Sequence, residues 1–75
     1  MIEPISILVE DAIQIAIQIA WDFLERSGEI GDPYTAGRFL TKTIDEMAGN
    51  GEHRKIMLAN RAIEVYRRHR RAVAA

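Results

Sequence analysis

Between Ile5 and Ser27 the polar side chains Asp11, Gln14, Gln18, Asp22 and Glu25 fall on one narrow stripe when the chain is wound at ~100° per residue. The other positions from Leu8 to Leu24 are almost all apolar, and they span an arc of roughly 240°, against the ~100° stripe of an ordinary surface helix. Two further segments carry narrower faces. Ala36, Phe39, Leu40, Thr43, Ile44 and Met47 share one side of a helix, and so do Leu58, Ala59, Ala62, Ile63, Val65 and Tyr66, with Ile56 at the edge. The pattern predicts an all-α, three-helix domain with helices over about 5–27, 33–48 and 52–72.

Local punctuation supports these limits. Ser6 offers an N-cap for the first helix, and Gly28 can take the left-handed conformation that stops it. Asp32-Pro33 supplies a capping acceptor followed by a proline in the first helical turn. Gly49-Asn50-Gly51 ends the second helix, so the third is expected from about Glu52. The β-branched run Ile5–Val9 also allows a short strand, as in ribbon–helix–helix DNA-binding proteins. Their ribbon presents alternating polar side chains, whereas here only Ser6 would do so, and helix is the preferred reading. Both connections are short, so consecutive helices are expected to pack antiparallel. A single domain over 1–75 is expected, with frayed ends at 1–4 and 72–75.

The wide arc of the first helix has a consequence for assembly. Two neighbours in a three-helix bundle cover about half of a helix's circumference. Each large apolar side chain left in water forfeits roughly 1.5–3 kcal/mol. A 75-residue chain has little stability to spare, and without cysteines it has no disulfide to add. A homodimer is therefore expected, with Ile13, Ala16, Ile17, Ala20, Trp21 and Leu24 as interface candidates. Ala12, Ala16 and Ala20 recur every four residues and would let a second helix come close, either from the same chain or from a partner. The edge that meets the partner is either Trp21 with Ile17 or Ile15 with Ile19.

Charge changes the picture only at the C-terminal end. Residues 1–50 carry nine acids against three bases, and residues 51–75 carry seven bases against two acids. A basic helix bearing Arg61, Arg67, Arg68, Arg70 and Arg71 makes nucleic-acid binding the alternative function. Against it stand a sequence pI near 6.1 and the lack of stacking aromatics on the basic face. Cations also belong at a helix C-terminus, where they complement the macrodipole, or opposite the acidic stripe of the first helix.

Chemistry-bearing residues are sparse. His53 and His69 are too far apart in sequence for a helical metal pair. Asp45 and Glu46 are adjacent and diverge by about 100° on a helix. Ser6 and Ser27 occupy helix ends. The Gly49-Asn50-Gly51 turn lacks the longer pattern of a phosphate loop. No enzyme activity, metal or cofactor is expected. Glu10, Asp11, Gln14, Gln18 and Asp22 interrupt the apolar stretch and argue against a membrane span. No basic region precedes it as in a signal peptide. A cytoplasmic interaction or regulatory module follows, self-associating through its first helix and open to other protein partners.

The segment Ala20-Trp21-Asp22-Phe23-Leu24-Glu25-Arg26, with Phe39-Leu40 and Leu58-Ala59-Asn60-Arg61-Ala62-Ile63 followed by Tyr66, resembles short all-helical bacterial proteins. That resemblance implies a helical fold and no particular activity.

Overall fold

A computed structural model describes the backbone of residues 4–74 and the side chains of residues 11–73. The regular structure there consists of α1 (Pro4–Arg26), α2 (Pro33–Gly49) and α3 (Lys55–Ala74). Each helix packs on both of the others. The molecule measures 49 × 22 × 19 Å.

The stops are set by backbone chemistry. Gly28 takes φ +71°. Its N–H donates to the Glu25 carbonyl at 3.1 Å, and the N–H of Glu29 donates to that of Leu24 at 2.8 Å. These two bonds form a Schellman motif, which satisfies carbonyls orphaned at the end of α1. The same device closes α2. Gly51, at φ +105°, donates to Ala48, and Glu52 donates to Met47. Replacing Gly28 by alanine puts a Cβ into this left-handed conformation and should cost about 1 kcal/mol. Chemical denaturation is the check, and an unchanged midpoint would show that the turn relaxes at no cost.

Asp32 caps α2 as expected, its carboxylate accepting from the Thr35 N–H at 2.8 Å and the Thr35 hydroxyl at 2.7 Å. Other boundaries differ from the sequence expectation. α1 begins at Pro4, so the Ile5–Val9 backbone is helical rather than a strand. Ser6 then lies inside the first turn and cannot be the N-cap; a proline preset for helical φ leads the helix instead. The side chains of Ser6, Leu8 and Val9 lie outside the described residues. α3 starts at Lys55, not Glu52, because Glu52 is consumed by the end of α2 and its carboxylate then accepts from the Arg54 N–H at 3.0 Å. The first helical bond of α3 runs from Leu58 N–H to the Arg54 carbonyl. At the far end the α3 backbone is helical through Ala74, in keeping with the high helix propensity of alanine. Pro4 is likewise helical; residues 1–3 and 75 lie outside the described residues.

The core is one cluster. α1 contributes Ala12, Ala16, Ala20 and Leu24, and α2 contributes Ala36, Leu40, Ile44 and Ala48. α3 adds Leu58, Ala59, Ala62, Ile63 and Tyr66. The α1 and α2 sets recur every four residues and the α3 set at three- and four-residue spacing, which places each on one face of its helix. The alanine row of α1 therefore faces the chain's own α2 and α3. Ile56, at the edge of the α3 face, stays 59% exposed.

Candidate functional site

Two surfaces gather the residues singled out by sequence. The first lies where the basic half of α3 meets the 27–32 connection. The Schellman turn holds Glu29 beside α3, and its carboxylate receives a two-pronged grip from Arg67, Nε to Oε1 and Nη2 to Oε2, both at 2.7 Å. The Ser27 hydroxyl donates to the same carboxylate. Arg70 donates to the Glu29 carbonyl, and the Gly31 N–H donates to the Tyr66 hydroxyl at 3.3 Å. Phe39 of α2 joins this end, edge-on to Tyr66 and stacked on His69.

This arrangement assigns the arginines. Arg67 and Arg70 clamp the chain's own loop. Arg68 pairs with Glu64 at 3.2 Å, and Arg61 approaches the same carboxylate at 3.8 Å. Arg71 has no carboxylate partner among the described residues. The acid that meets the basic helix is Glu29 in the loop, not the stripe of α1. Asp22 accepts instead from Gln18 at 2.9 Å, and Glu25 from the Trp21 indole N–H at 3.2 Å, all within α1. Sequence reading missed Glu29 because a single acid in a turn carries no periodicity.

The Arg67 hydrogen bonds, and next the Ser27 hydroxyl, hold the Glu29 carboxyl down at about 2 against a usual 4.5. Arg54 does the same for Glu52. On acidification the unfolded chain takes up these protons first. The stabilisation is therefore complete above pH 4.5 and is lost as pH falls through about 2. Glu29→Gln should flatten the acid limb of a plot of melting temperature against pH, and added salt should weaken the effect in the wild-type chain. An acid limb as steep in the variant as in the parent would contradict the clamp.

The second surface is the groove between α1 and α2. Ile17 and Trp21 form one wall; Gly37, Arg38, Thr41 and Asp45 form the other. Of the proposed interface residues, Ile13, Ile17 and Trp21 are half-buried at the edge of the core. Ala16, Ala20 and Leu24 are completely buried within the chain. Within the single chain they are covered by α2 and α3, which leaves Ile13, Ile17 and Trp21 as the members of that set that reach solvent. On the opposite edge of α1, Ile15 is 42% and Phe23 45% exposed, with Ile19 half-buried. Phe23 is not bare, since the Arg67 guanidinium lies 5.1 Å from its ring centre. The wide arc predicted for α1 is real, but its middle is intrachain core and only its two edges reach solvent.

Gly37 is the unexpected member of the groove. It sits inside a helix, where glycine is roughly 1 kcal/mol less favourable than alanine. The fold does not demand it, because a Cβ there would meet Trp21 at 3.9 Å, an ordinary contact. An isolated glycine within a helical pattern was the available sequence signal. Tyr34, 71% exposed, stands at the groove mouth with the Arg38 guanidinium 5.7 Å from its ring centre.

Among the described residues no three His, Asp or Glu side chains gather as a metal site. Asp22, Glu25, Asp45 and His53 do not converge: the first two are bonded within α1, Asp45 lines the groove, and His53 is exposed between α2 and α3. No described helix is long and apolar enough to cross a membrane. No family model matches the chain, and comparison with curated proteins and with solved structures gives no match, so the site is read from its own residues.

Proposed function

We propose that this chain is a small interaction module that self-associates along the α1–α2 face. The observation that carries the reading is the groove wall of Ile17 and Trp21, apolar and only partly buried by the chain's own helices. The opposite edge of α1 is the competing candidate, since Ile15 and Phe23 are 42% and 45% exposed there even with the Arg67 guanidinium over the Phe23 ring. The reading takes the helices in up-down-up antiparallel order. The short connections support that order, as does the contact of the 27–32 loop with the C-terminal half of α3. A chain without cysteine suits a reducing compartment such as the cytoplasm.

Sedimentation equilibrium at micromolar concentration tests the proposal, and a dimer is expected. Trp21→Glu removes an apolar anchor worth roughly 1.5–3 kcal/mol of burial, which corresponds to at least a tenfold weaker dimer. Circular dichroism of the variant verifies that the helices remain. Ile15→Glu on the opposite edge should leave association unchanged. A wild-type monomer at tens of micromolar would overturn the reading. A dimer weakened only by Ile15→Glu would move the interface to the other edge.

A further inference from the structure

The exposed side of α2 carries a pattern that neither the core nor the fold explains. Tyr34, Arg38, Thr41 and Asp45 are spaced by four, three and four residues, the spacing of a helix–helix seam. All four are exposed and lie on a different face from the buried line of α2. Its charges are ordered: Arg38 and Lys42 come first, Asp45 and Glu46 follow. None of these four charged groups joins a salt bridge among the described residues.

We propose that the occupant of the α1–α2 groove is α2 of a second copy, packed antiparallel about a twofold axis between Thr41 and Lys42. In this arrangement Arg38 of each copy faces Asp45 of the partner subunit. The inference rests on the self-association proposed above and specifies its seam.

The exposed face of α2 is self-complementary. A twofold axis brings one surface against itself, so each base must find an acid an equal distance beyond the axis. Arg38 and Asp45 are seven residues apart, and the point midway between them lies between Thr41 and Lys42. An antiparallel copy in that register sets base on acid twice, whereas a parallel copy sets like on like. The same register places Tyr34 over Gly49 of the partner subunit. Gly49 is the last residue of α2, and a Cβ built on it would meet nothing within 4 Å. Gly37 keeps the groove floor low beside Trp21, so that a second backbone can approach. Ile17 and Trp21 then cover the incoming helix, and α1 and α2 of both copies form a four-helix layer. The exposed side of α1 cannot do this. Its stripe of Asp11, Gln14, Gln18, Asp22 and Glu25 carries acids but no lysine or arginine, so a twofold cannot set base on acid along it.

The test is a charge-reversal cycle on the full chain, followed by sedimentation equilibrium with circular dichroism as the folding control. Each substitution acts twice in a twofold dimer. Arg38→Glu alone and Asp45→Arg alone should each raise the dimer dissociation constant by about tenfold or more, and the double variant should recover most of that loss. Gly37→Leu, which fills the groove floor, should dissociate the dimer by at least ~10-fold while the helices persist. A wild-type monomer defeats the self-association reading and this seam together. A wild-type dimer that ignores both reversals and Gly37→Leu, or one whose double variant shows no recovery, overturns the seam alone and leaves self-association standing.

Discussion

Leu40→Ala should remove a large share of the chain's stability and lower its melting temperature steeply. Leu40 is fully buried in the middle of α2, within the cluster shared by all three helices. Truncation there removes its transfer free energy and leaves a cavity that the flanking helices fill only partly. Together these cost about 2–5 kcal/mol. A domain of this length has roughly 4–11 kcal/mol in total. The melting temperature should fall by at least ~10 °C, measured by circular dichroism at a fixed protein concentration, since a dimer's stability depends on concentration. Ile56→Ala, at a large apolar residue 59% exposed on α3, should stay within about 0.5 kcal/mol of the parent. Equal effects at the two positions would mean that the core is not the one described.

Enlarging the alanine row is the complementary experiment. Ala20 is completely buried in α1 between Ala16 and Leu24. A leucine there adds three carbons where helices already touch. It forces off-rotamer side chains or parts the helices, at about 1–3 kcal/mol. The penalty should be present in dilute urea titrations, where only the monomer's stability is read. If Ala20 met a partner instead, the same variant would lose association and keep its unfolding midpoint. The outcome therefore separates intrachain packing from an intersubunit contact, a choice the spacing of the alanines leaves open.

Much of the fold is legible from local chemistry. Gly28, Asp32-Pro33 and Gly51 act where they stand, because a positive φ, a capping carboxylate and a proline ring each constrain only their own turn. The start of α3 is harder to read. Gly51 and Glu52 look like a helix beginning, but they belong to the end of α2. After them no serine, threonine, aspartate or asparagine marks the cap, and Arg54 fills that place with its carbonyl alone. At the opposite terminus Ser6 was the misleading signal, since Pro4 two residues earlier already leads the helix.

The candidate site was legible only in part. Ile17 and Trp21 could be found because the arc of α1 exceeds what two neighbours cover. Glu29 could not, because its significance is the distance to Arg67, thirty-eight residues away. Arg67 and Arg70 read as a free basic surface until the loop they hold is placed beside them. Gly37 was visible as a helix-interior glycine, yet only the position of Trp21 shows that the chain's own packing does not require it.

The sequence by itself determined three helices, their principal stops and the face each turns inward. Backbone preference and the 3.6-residue period act within a few residues of one another and need no knowledge of the rest of the chain. Only the tertiary structure decided how the broad apolar surface of α1 is divided, with alanines and Leu24 inside and Ile15, Ile17, Trp21 and Phe23 at the edges. It alone decided that the basic end of α3 holds Glu29. Both depend on distances between helices, and periodicity along one helix carries no information about which neighbour stands opposite.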